Sequence, residues 1–149
     1  MSRIERIGTA PVTPAVAQRL WTDTNRWPTF VDGFGHILEQ TDDWPAPGSK
    51  VIWESGPAGR GRVTERIKEN GDGVVETEVF DSQMIAMQIA RFVPVDGGCE
   101  FHLVLDYKLS KDGPLTKITD ALFIRRPIAM ALDRTLSRFS TEAQDEATL

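Results

Sequence analysis

The sequence predicts an α+β protein: an antiparallel meander sheet of about seven strands, two short helices after the first strand, and one long C-terminal helix. Turn-forming clusters recur about every ten residues from Gly35 to Ser110, separated by β-branched and aromatic stretches. From Leu115 to Ala143, nine positions recur at spacings of three and four, and eight of them are apolar. Ahead of both lies a short strand-like stretch followed by proline-punctuated helical segments.

The elements follow in order. Ile4 to Ala10 reads as a strand. Thr13-Pro14 supplies a helix cap and a first-turn proline for a helix to about Asp23, with Val16 and Leu20 on its apolar face. Trp27-Pro28 must redirect the chain, and a second short helix then carries Phe30, Val31 and Phe34. Six strands are predicted at Ile37–Thr41, Lys50–Ser55, Gly61–Lys68, Val74–Phe80, Met84–Val93 and Cys99–Leu109. In the last, Phe101, Leu103, Leu105 and Tyr107 share one face, opposite His102, Asp106 and Lys108. Asp112-Gly113-Pro114 starts the terminal helix. Pro127 is expected to kink it without changing the apolar phase, Arg134 and Arg138 form a solvated face, and Gln144 to Leu149 form a frayed tail.

Charge selects one register. With a three-residue loop Gly71-Asp72-Gly73, Arg66 falls opposite Glu78 and Lys68 opposite Glu76; a two- or four-residue loop puts Glu65 opposite Glu78 instead. The first arrangement is predicted. It aims Glu65 to the apolar side with Val63, Ile67 and Val79.

Composition bounds the function. The chain has 149 residues, with 40% hydrophobic and 26% charged, which fits one domain spanning residues 1–149. A net charge of −5 argues against a main role in neutralising nucleic-acid phosphates. One cysteine excludes a disulfide scaffold, and no run is long and apolar enough for a membrane span. Without a leader signal, the cytoplasm is the expected compartment. Oligomeric state is not legible. No cofactor or metal is expected, because His36, His102 and Cys99 lack partners at ligand spacing. The glycines of Gly56–Gly61 precede a strand and lack the residues that grip a phosphate, so they read as a hairpin turn. No serine sits in a nucleophile elbow.

The strand, two helices, six strands and long helix resemble the helix-grip fold of the START and Bet v 1-like superfamily across nearly the whole chain. Ala10-Pro11, Trp27-Pro28-Thr29-Phe30, Gly48 before the strand with Trp53, and Leu105-Asp106-Tyr107 ahead of Gly113-Pro114 are similar to its polyketide cyclase/dehydrase branch. The resemblance implies a curved sheet gripping the helix around an apolar cavity that holds a lipid, an aromatic polyketide or a similar hydrophobic molecule. Cyclases, carriers and partner-binding modules share the fold, so it does not fix one function.

The aromatic inventory either packs a core shut or walls a pocket, and the resemblance favours the pocket. The expected ligand-contacting set is Trp27, Phe30, Phe34, Trp53, Phe101, Leu103, Leu105, Tyr107, Leu122 and Phe123. Binding of a hydrophobic small molecule is the first reading. A cyclase or dehydratase is the alternative, with Glu65 as base and Tyr107 and Arg125 as donors to an enolate oxygen. For each, a bland reading stays open: an ion-paired or water-reaching Glu65, a satisfied buried Tyr107, a snorkelling Arg125. The family's Asp-aromatic position falls on Asp106, which alternation places opposite Tyr107. A protein-interaction domain with a closed core is the third reading.

Overall fold

The structure is a computed structural model describing residues 2–56, 61–110 and 123–148. Its seven strands are Ser2–Ala10 (β1), Phe34–Gln40 (β2), Lys50–Ser55 (β3), Arg62–Gly71 (β4), Val74–Phe80 (β5), Met84–Val95 (β6) and Gly98–Leu109 (β7). The helices are Pro14–Thr22 (α1), Trp27–Phe30 (α2) and Arg125–Ala147 (α3). All seven strands form one antiparallel sheet in the order β1-β7-β6-β5-β4-β3-β2. The meander runs from β2 to β7, and β1 closes its far side.

Local chemistry sets the helix ends. The Thr13 side chain accepts from the Val16 N–H at 3.3 Å, and Pro14 occupies the first turn of α1. Gln18 then fixes α1 to the β4–β5 hairpin. Its amide donates to Asn70 Oδ1 at 2.8 Å and accepts from the Gly73 N–H at 3.0 Å. Gly73 has φ +81°, and a Cβ there would stand 2.9 Å from the Phe92 carbonyl oxygen, so only glycine fits this turn without strain.

Several expectations change. The second helix is only Trp27–Phe30, and Phe34 begins β2, because the chain leaves helical backbone at Val31. Arg66 does lie opposite Glu78 and Ile67 opposite Thr77, but the loop has two residues and Glu69, not Lys68, faces Glu76. A β-bulge between Ile67 and Glu69 absorbs the extra residue. Within the expected tail, Gln144 to Ala147 are helical, since α3 continues to Ala147, and Arg26 holds Glu142 at 2.5 Å and Glu146 at 2.9 Å. Arg134 and Arg138 are not simply solvated, since both grip Asp32. Pro127 lies near the start of α3 just after Phe123 and Ile124, which already follow a wider helical turn, so the expected kink falls at the edge of the described residues. The predicted helix start at 112–122 and the turn at 57–60 lie outside the described residues.

The core sits between the concave sheet face and the helices. Phe139, fully buried, is its hub, with ring centroids 5.2 Å from Trp21, 5.2 Å from Phe30 and 5.1 Å from Phe101. Helix α3 also touches the edge strand β1 through polar groups. Arg6 pairs with Asp133 at 2.7 Å and donates to the Glu5 carbonyl at 2.9 Å. Arg125 donates to the Arg3 carbonyl at 2.7 Å, and the Ser140 hydroxyl to the Thr9 carbonyl at 2.6 Å.

Candidate functional site

A cavity of about 500 Å³ lies between the concave sheet and α3. Such a volume falls within the range of roughly 300–1,000 Å³ typical of small-molecule sites. Trp21, Trp27, Phe30 and Val31 border it from the α1–α2 side; Trp53, Val79, Met84 and Leu105 border it from the sheet. Ile128, Ala131, Leu132 and Thr135 form the α3 wall, and Phe123, 69% exposed, stands beside Ile124 and Pro127.

The sequence-predicted residues divide. Trp27, Phe30, Trp53, Glu65, Leu105 and Phe123 border the cavity. Phe101 and Leu103 are buried elsewhere on the same face, Phe101 against Phe139. Phe34 packs behind the wall, its ring 5.4 Å from Trp53 and 6.2 Å from Trp27. Leu122 lies outside the described residues. The three proposed catalytic groups do not converge: Glu65 borders the cavity, Tyr107 is buried in the sheet face without bordering it, and Arg125 is spent on the Arg3 carbonyl.

Glu65 is positioned by the β4 register and accepts a hydrogen bond from Trp53 Nε1 at 2.7 Å. The neighbouring indoles bond to backbone instead: Trp27 Nε1 donates to the Trp21 carbonyl and Trp44 Nε1 to the Thr22 carbonyl. Asp106 serves the outer face, where Arg3 opposite it on β1 donates at 2.8 and 3.0 Å.

Two parts of the site escaped sequence reasoning. Asp32, between α2 and β2, takes a two-pronged bond from Arg134 (2.9 and 3.0 Å), another from Arg138 (3.1 Å), and its backbone N–H donates to Thr135 Oγ1 at 2.9 Å. These bonds tie one rim of the cavity to α3. No local signal announces a partner 102 residues away. Gln88, midway along β6, also borders the cavity. The alternation Met84, Ala86, Gln88, Ala90, Phe92 carried that signal, since period two places all five on one face. Among the described residues there is no group of three or more His, Cys, Asp or Glu arranged to hold a metal.

Three carboxyls are held below the usual carboxylate range: Asp32 by hydrogen bonds from Arg134, Glu142 by those from Thr29 and then Arg26, and Asp106 by those from Arg3. Unfolding returns them to about 3.9–4.3. Their contribution is therefore complete above that range and is lost as pH falls through the lower folded values. The urea midpoint is expected to fall steadily below about pH 4, and Asp32→Asn to shallow that slope. An unchanged slope in the variant would remove Asp32 from the acid response.

No family model matches the chain, and no curated protein matches its sequence. Solved structures do match. TTHA0849 from Thermus thermophilus has a TM-score of 0.76 at 12% identity, covering 95% of this chain and 97% of that one. Ara h 8.0201 has a TM-score of 0.72 at 14% identity, covering 95% and 97%. A norcoclaurine synthase point mutant from Thalictrum flavum, in complex with a transition-state analogue, has a TM-score of 0.67 at 13% identity, covering 95% and 95%. Likeness at such identities speaks to backbone architecture. Seven antiparallel strands, two short helices and a long terminal helix, in the same arrangement over nearly the whole of each chain, give this protein the helix-grip fold of Bet v 1-like proteins.

Proposed function

We propose that the chain binds a hydrophobic small molecule, of lipid or aromatic polyketide-like character, in the cavity between the sheet and α3. The observation that carries the reading is the cavity itself, about 500 Å³ with Trp27, Phe30, Trp53 and Leu105 in its wall. A large concave pocket with aromatic walls and a few polar groups is the usual form of a small-molecule site. The test is a thermal-shift panel of fatty acids, sterols and aromatic polyketides. A ligand at 100 times its Kd adds about 2.7 kcal/mol, so a binder raises Tm by several degrees; no shift across the panel at saturating solubility would reject the reading.

One observation favours a second reading, a cyclase or dehydratase: Glu65 places a carboxylate at an apolar cavity, where a general base would have to stand. It ranks below binding because Tyr107 and Arg125, the donors it needs, do not border the same space. Turnover of a polyketide analogue that disappears in Glu65→Gln with affinity retained would raise it above simple binding. A closed-core interaction domain is disfavoured by the cavity.

A further inference from the structure

Gln88 stands where a ligand would have to meet it. The concave face of β6 presents Met84, Ala86, Gln88, Ala90 and Phe92 in alternation, and four of the five are buried apolar residues. Gln88 lies directly opposite Thr77 on β5 and Leu105 on β7, in the middle of the sheet, not at an edge. It borders the cavity. Glutamine offers one carbonyl acceptor and two N–H donors, and among the described residues the Gln88 side chain bonds to no protein group. Of the other polar side chains bordering the cavity, Glu65 is engaged by Trp53, Asp32 by Arg134 and Thr135 by the Asp32 N–H, whereas Gln83 is exposed to solvent just ahead of β6.

A polar amide in the centre of an apolar concave face stabilises nothing in the protein by itself. A ligand that covered it without a matching group would strip its water and return no bond, which is costly. A ligand carrying a carbonyl or hydroxyl at that point would satisfy it. We propose that Gln88 is a specificity-determining residue, which makes the cavity select apolar molecules bearing a hydrogen-bonding oxygen, such as polycyclic ketones and phenols, over the corresponding plain hydrocarbons. The proposal rests on the cavity being the binding site and adds the chemical class of its ligand.

The position of Glu65 adds a dimension. It lies on β4, two strands from Gln88 and offset by two residues, since Glu65 faces Val79 and Ala86 in the ladder while Gln88 faces Thr77 and Ile67. Two strand spacings of about 10 Å and a two-residue offset of about 7 Å put the two backbone positions about 12 Å apart. A rigid three-ring body whose oxygen meets Gln88 extends from there part of the way towards Glu65.

The experiment uses a matched set of rigid probes, fluorene and 9-fluorenone, titrated into the full chain and followed by fluorescence and thermal shift. The wild type is expected to bind 9-fluorenone about tenfold more tightly than fluorene. Gln88→Met, similar in length and unbranched, should abolish the preference by weakening fluorenone and leaving fluorene equal or tighter. Gln88→Glu gives a second variant with a different fold risk: lacking the amide donors, it should also lose the fluorenone preference. Equal affinity of the wild type for both probes, or a preference that survives both folded variants, would overturn the role of Gln88 while leaving the cavity as a binding site. Failure of both probes to bind, together with a silent ligand panel, would instead reject the cavity reading and this inference with it.

Discussion

Phe139→Ala is expected to lower the unfolding free energy by about 3–5 kcal/mol, the range for deleting a buried phenylalanine ring from a packed core. The ring is fully buried and is the one contact shared by Trp21 and Phe30 from the short helices and Phe92 and Phe101 from the sheet. Removing it leaves a void that four rigid rings are poorly able to collapse into, so the cost should sit high in the range. For a chain of this length the corresponding loss in Tm is roughly 6–20 °C, read by calorimetry or urea unfolding. Phe123→Ala is the control: that ring is 69% exposed, and its removal should change stability by no more than about 0.5 kcal/mol. A loss under about 1 kcal/mol at Phe139 would mean that the helices and the sheet are not coupled through this cluster.

Ala131→Trp should have the largest effect on binding. Ala131 lies on the α3 wall of the cavity, half-buried, with the ligand space in front of it rather than packed protein. An indole introduced there occupies the volume a ligand needs, and affinity for 9-fluorenone is expected to fall about a hundredfold, roughly 2.7 kcal/mol. Because the indole fills existing space, stability should move by less than the roughly 1–3 kcal/mol that overpacking a closed core costs. Binding within threefold of the wild type in this variant would place the ligand elsewhere on the molecule.

Strands β3 and β5 were readable to the residue because turn formers bound each on both sides, and the inward faces of β4 and β7 followed from charge and alternation. The bulge near Lys68 was not readable. A two-residue loop and a bulge together leave Arg66 opposite Glu78 as a three-residue loop would, so charge pairing alone cannot distinguish them. The persistence of α3 to Ala147 was hidden for a different reason: its polar last turns are held by Arg26, more than a hundred positions earlier. The site divided along the same line. Glu65 and Gln88 betray themselves as polar residues in phase with apolar neighbours on a strand. Asp32 carries no such mark, because its partners Arg134 and Arg138 reach it only once α3 has docked.

The polar contacts along β1 bear on how the molecule behaves in company. An outer strand with open carbonyls is a template on which another chain can add a strand. Here the carbonyls of Arg3, Glu5 and Thr9 are occupied by Arg125, Arg6 and Ser140, so a newcomer would have to displace three hydrogen bonds before making its own. At the opposite margin, β2 breaks register twice against β3, between Phe34 and His36 and between Ile37 and Glu39, which interrupts the even spacing that strand addition needs. Both margins of the sheet are thus protected from fibre-like stacking, and the side chains that protect one of them belong mostly to the helix that walls the cavity.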